Sequence, residues 1–205
     1  MYKFGQIEIE SKKFNSVYQV QKDVDCEKIR ISEGVVANKH DTTYTIGYET
    51  EPGVIVPLYV KTPKDCLSSG ISRFNEASPW KMGFNVSGDE DWVGDYKAIW
   101  MAIEERLLKN TFSLEGKPLS NEKYINPKLI TWDGEIKTRF RGNYPGFIED
   151  IGACYASGVL KVGSVYRQGL NYHLQVFLKE CKYMKRDAIF ESQLSDDDEG
   201  YDTVN

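Results

Sequence analysis

No stretch of this sequence stays apolar for the roughly 18 residues that a membrane-spanning helix needs. The opening Met1-Tyr-Lys-Phe-Gly-Gln-Ile-Glu also lacks a signal-peptide apolar region and a myristoylation glycine. A protein that stays inside the cell and off the membrane is expected. Cys26, Cys66, Cys154 and Cys181 form no C-x-x-C pair, and histidine is confined to His40 and His173. A structural zinc site is therefore not expected, and reduced, mostly buried thiols are. There is no G-x-S-x-G elbow, no Gly-rich phosphate loop, no internal repeat and no heptad array. These absences set aside serine hydrolases, P-loop enzymes, solenoids and coiled coils, and neither catalysis nor a cofactor is expected.

What is present suits one substantial core: 205 residues, 40% of them apolar and 13% aromatic. The formal charge of −5 is unevenly spread. From Asp187 onward there are seven acidic residues and no Lys or Arg, so residues 1–186 hold 26 basic against 24 acidic side chains, a net of +2. Residues 117–186 hold 12 basic against 6 acidic. An acidic, low-hydrophobicity tail over 187–205 is expected to stay outside the fold and to mask a basic body.

The first eighty or so residues read as short β segments: Tyr2 to Glu10, Phe14 to Val20, Lys28 to Ala37, Thr42 to Glu49 and Val54 to Lys61. One amphipathic helix is predicted from about Asp89 to Lys109. Trp92, Tyr96, Ile99, Trp100, Ile103 and Leu107 form its apolar stripe, which packs on the sheet. Asp89, Glu90, Asp91 and Asp95 suit either a divalent metal for phosphodiester chemistry or helix N-terminal charge, and the helix dipole favours the second. Asn110 to Tyr124 reads as a loop, and strands resume at Lys128 to Trp132 and Glu135 to Phe140. A late hairpin joins Gly158–Arg167 to Leu170–Tyr183 through a turn near Gln168-Gly169. In its second strand Leu174, Val176 and Leu178 point inward.

Basic residues are interleaved with aromatics. Lys137, Arg139 and Arg141 fall on one side of an extended segment beside Trp132, Phe140 and Tyr144. Arg73, Trp80, Lys81, Tyr166 and Arg167 supply similar pairs, as do Lys182, Tyr183, Lys185 and Arg186. Cations beside rings suit a phosphate backbone with unstacked bases. The same pattern also arises from core aromatics and from lysines that blunt a strand edge.

Several segments resemble the single-stranded DNA-binding proteins of nucleocytoplasmic large DNA viruses. They are Pro57-Leu-Tyr-Val-Lys-Thr-Pro-Lys64, Gly70-Ile-Ser-Arg-Phe-Asn and Trp80-Lys-Met-Gly-Phe-Asn-Val, then Asn126-Pro-Lys-Leu-Ile and Ile136-Lys-Thr-Arg-Phe. Val159-Leu-Lys-Val-Gly-Ser-Val-Tyr-Arg and Tyr172-His-Leu-Gln-Val-Phe-Leu-Lys-Glu-Cys complete the likeness, which spans residues 50 to 186. The resemblance implies a mainly β, OB-type five-stranded barrel with additional N-terminal strands and one long helix. It makes 1–186 a nucleic-acid-binding domain that coats single strands in replication, recombination and repair, at a viral replication site in host cytoplasm or nucleus. Lys61, Lys64, Lys128, Lys137, Arg139 and Phe140 carry over as binding candidates; the others rest on local chemistry. Single-stranded DNA is the expected partner, with RNA and oligomerisation left open, and the tail is expected to engage replication proteins. A scaffold module that binds protein, and a metal-dependent nuclease, are the alternatives.

Overall fold

Thr43 and Thr45 alternate with Tyr44, Ile46 and Tyr48, all β-prone side chains, and the strand that forms there is the long β3 (Asp41–Glu51), hairpinned to β4 (Val54–Lys61). The computed structural model describes residues 23–36, 41–108, 114–142 and 147–185. The expected strands Tyr2–Glu10 and Phe14–Val20, together with His40, Tyr144, Arg186 and the acidic tail, lie outside the described residues. Lys28 to Ala37 is not one strand. A 3-10 turn at Cys26–Lys28 leads into β1 (Ile29–Ile31), and Ser32, Glu33 and Gly34 separate it from β2 (Val35–Val36). The break is local: the Ser32 hydroxyl accepts from the Thr45 amide at 2.9 Å, and a Cβ on Gly34 would stand 2.4 Å from Thr42 Cγ2.

The remaining elements are β5 (Cys66–Ser72), β6 (Lys81–Asn85), α1 (Glu90–Leu108), β7 (Tyr124–Ile125), β8 (Lys128–Leu129), β9 (Thr131–Trp132), β10 (Glu135–Ile136), β11 (Arg139–Arg141), β12 (Cys154–Gln168) and β13 (Asn171–Lys185). Five of them close a barrel in the order β5-β6-β8-β13-β12, with β12 returning to β5. All neighbours in the ring are antiparallel except β8 and β13, which are parallel. Among the described residues the fold is thus mostly β, a closed five-stranded barrel with extra strands and one long helix, as expected.

β12 and β13 wrap the barrel because they bend. Along β13 the inward series is Leu174, Val176, Leu178 and then Cys181, Tyr183; the change of parity falls at Lys179, where β12 shows a register shift between Val159 and Leu160. A second shift lies between Val162 and Ser164. Each bulge adds twist and turns the strand around the core. One edge of β12 then carries β5, β4 and β3 end to end, and one edge of β13 carries β8 and β11.

Helix α1 starts where the acidic cluster is. Asp89 Oδ1 accepts from the Trp92 amide at 2.9 Å, a side-chain N-cap. Tyr96, Ile99 and Ile103 of the predicted stripe are buried, while Trp92, Trp100 and Leu107 are half-buried against the core. The segment before β7 is less open than a loop reading suggests: Leu114 and Leu119 are buried, and Leu114 bridges Tyr172. Between β5 and β6, a register shift falls between Ser68 and Gly70. Gly70 has φ +87°, and a Cβ there would lie 2.4 to 2.6 Å from the backbone of Ile151 and Gly152, so only glycine fits. Cys66, Cys154 and Cys181 are buried free thiols, and burial pushes the Cys66 thiol up to about 11.

Candidate functional site

The sequence-predicted residues fall in four places. Arg73 and Trp80 bracket the connection from β5 to β6, Lys81 opens β6, and Lys128 opens β8. The Arg73 guanidinium lies over the Trp80 ring at 4.4 Å, which pins both side chains. Between them Phe74 is 94% exposed. An aromatic ring left in water costs free energy that a core position would recover, and no packing reason for it is visible among the described residues.

Lys81 and Lys128 are direct cross-strand partners in the one rung that joins β6 to β8. Two backbone bonds fix that rung: Leu129 N–H donates to Trp80 O at 2.8 Å, and Met82 N–H to Pro127 O at 3.2 Å. Like charges directly opposed in a sheet repel. Lys128 is half-buried and donates to Gln175 Oε1; burial first, and Lys81 second, hold its ammonium below the ordinary lysine range. Neither lysine has an ion pair among the described residues.

The second group lies on the edge of β13. Residues 135–141 alternate: Lys137, Arg139 and Arg141 are exposed, and Ile136, Thr138 and Phe140 turn inward. The segment is not one strand. It breaks between β10 and β11, and Lys128 to Trp132 likewise breaks between β8 and β9. Thr138 causes the break: buried, its hydroxyl donates to Leu178 O at 2.7 Å and accepts from the Ile130 amide at 2.8 Å, a role that ladder pairing cannot fill. The β9–β10 hairpin loops out from this stitch through Asp133 (φ +50°) and Gly134 (φ +79°), an Asp-Gly turn that sets Trp132 71% exposed. The cations here are compensated. Lys137 pairs with Glu135 at 2.5 Å, and Glu180 sits between Arg141 at 2.8 Å and Arg139 at 4.0 Å.

The third group, Lys61 and Lys64, lies at the end of β4 beside a cleft of about 330 Å³. That cleft also holds Asp89, Asp95 and Trp92, whose indole N–H donates to Lys61 O at 2.6 Å. The fourth, Tyr166 and Arg167, closes β12: Arg167 donates to Gly169 O at 2.8 Å and stands 5.7 Å from the Tyr172 ring centroid. Burial, then a hydrogen bond with Asp41, raises the Tyr166 phenol.

Set against known proteins, the chain matches no family model and no curated protein. Among the described residues no helix is long and apolar enough to cross a membrane, and no three His, Cys, Asp or Glu side chains gather as metal ligands.

A cleft of about 500 Å³ opens beside the Lys81–Lys128 rung, walled by α1, the 117–127 segment and β13. Lys117, Trp100, Tyr124 and Asn126 line it, and among the described residues no Asp or Glu does. Sequence reasoning missed these four residues and Phe74. The signal for Phe74 was its place beside Arg73 in a β connection. Trp100 was legible as part of the apolar stripe, but not as its half-buried margin.

Proposed function

We propose that this protein binds single-stranded nucleic acid, DNA foremost, without regard to sequence, through the barrel face built on β6, β8 and the connection from β5 to β6. The observation that carries the reading is the cluster Arg73, Phe74, Trp80, Lys81 and Lys128: an exposed ring, a ring capped by a guanidinium, and two opposed lysines with no acidic partner among the described residues. Bases stack on such rings for roughly 1–3 kcal/mol each regardless of sequence, and the cations neutralise phosphates.

The strand order supports an OB-type assignment. Numbering the ring strands along the chain as first (β5), second (β6), third (β8), fourth (β12) and fifth (β13), the OB binding surface is the face of the second and third with the loops that follow the first and the fourth. Here those are β6, β8, the connection carrying Phe74, and the Gly169-Leu170 turn beside Arg167. The edge bearing Lys137, Arg139 and Arg141 extends the basic path, although its ion pairs weaken its pull. The resemblance of residues 50 to 186 to viral single-stranded DNA-binding proteins supports the reading, and from it we infer a role in replication, recombination and repair at viral replication sites. The seven-acid tail competes for the basic face and engages replication proteins when a strand displaces it.

A scaffold reading has one observation in its favour, the exposed Trp132 and Phe147, each more than 70% accessible, which suit a protein partner. A gel shift with single-stranded DNA, RNA and duplex separates the two. The single-strand reading expects preference for single strands and its loss in Lys81→Glu with Arg73→Glu. Equal or absent binding of all three probes would favour the scaffold.

A further inference from the structure

Two clefts flank α1, and they differ in charge. The one beside Lys61 and Lys64 carries Asp89 and Asp95 and is electrically balanced. The larger cleft carries Lys81, Lys117 and Lys128 and, among the described residues, no acid in its lining. It therefore favours an anion, and its other walls say which kind. Trp100 and Tyr124 present half-buried rings, and Leu174 and Val176 make an apolar floor. Asn126 supplies an amide whose Oδ1 lies 3.0 Å from where a Cβ would stand on Gly83, so the glycine leaves room for that side chain. Cations, half-buried flat rings and an exposed amide lining one cleft match phosphate, base and base edge. The volume of about 500 Å³ accommodates one nucleotide and falls in the ordinary range of small-ligand sites.

We propose that this cleft binds one unstacked nucleoside 5′-phosphate unit, its phosphate held by Lys81, Lys128 and Lys117 and its base lodged against Trp100 and Tyr124 with Asn126 at its edge. The inference rests on the single-strand reading and adds that one base leaves the strand to enter the protein. The opposed lysines then have a purpose: their repulsion in the empty cleft is relieved when a phosphate sits between them. The same chemistry serves a free mononucleotide, which the experiment distinguishes.

The test uses the full chain. Thymidine 5′-monophosphate, thymidine and inorganic phosphate are titrated separately, and an oligo-dT carrying 5-iododeoxyuridine is photo-crosslinked and mapped by mass spectrometry. Expected are saturable binding of the monophosphate, about tenfold weaker binding of thymidine and of phosphate, and crosslinks at Trp100 or Tyr124. Lys117→Glu, an exposed position, weakens the monophosphate about tenfold without affecting folding. Saturable monophosphate binding without those crosslinks would make the cleft a free-nucleotide site and overturn its role in strand binding. Oligo-dT binding with crosslinks confined to Phe74, Trp80 or Trp132, and no monophosphate binding, would overturn the cleft while leaving the single-strand reading intact. Loss of oligo-dT binding altogether would instead strike that reading.

Discussion

Replacing Lys81 and Lys128 together by alanine isolates the electrostatic part of the account. The two side chains face each other across one rung and neither is paired with an acid among the described residues, so both charges are free to neutralise phosphate. Each phosphate neutralised on a single strand contributes a slope of about −0.7 to the dependence of log K on log salt, so losing two makes the slope shallower by about 1.4. Over a fourfold rise in salt the wild-type affinity should therefore fall roughly sevenfold further than the variant's. Fluorescence anisotropy with labelled oligo-dT at several salt concentrations reads this directly. Removing the like-charge contact should leave thermal stability unchanged or slightly raised, which guards against misfolding as the cause. An unchanged slope in a folded variant would refute the assignment of phosphate contacts to this rung.

Other expectations follow from single sites. Phe74→Ala should cost roughly 1–3 kcal/mol of oligonucleotide affinity and no stability, because the ring is 94% exposed; calorimetry and a melting curve check both halves. Gly70→Ala forces a side chain into a left-handed backbone and against two carbonyls, so denaturant unfolding should show a loss of about 2 kcal/mol or more. Thr138→Val strands the Ile130 amide and Leu178 carbonyl, at roughly 1–3 kcal/mol for each buried group, and should loosen the hairpin that presents Trp132. The Gly53 amide, at 2.8 Å, and then Arg30 lower the Glu49 pKa. Glu49 thus supports folding above the ordinary carboxylate pKa, and this support is lost as pH falls through its lowered value. Acid melts of Glu49→Gln should be less steep in that window.

The local half of this structure was readable and the non-local half was not. The alternation of Thr43 to Tyr48, the stripe on α1 and the late hairpin are properties of a few neighbouring residues, and all three formed where the pattern put them. The break at Lys137-Thr138 depends on a partner far along the chain, Leu178, and the break at Ser32–Gly34 on Thr45 of the adjoining strand, and periodicity announces neither contact. The same holds for the site. Arg73, Trp80 and Lys81 cluster in sequence, but Lys128 joins them only through the β6–β8 rung, and Lys117 and Trp100 only through the cleft that the rung borders. Conversely, Lys137, Arg139 and Arg141 looked like the strongest cationic strip, and only the fold revealed Glu135 and Glu180 among them.

The central claim is that the barrel face prefers unpaired strands, holding them by charge and by stacking. Its most direct measurement is competition between unlabelled single strands and duplex of the same length for protein bound to labelled oligo-dT, repeated from low to high salt. The account expects single strands to compete much more strongly than duplex and affinity to fall steeply with salt. Equal competition by duplex, or affinity flat in salt, would contradict it.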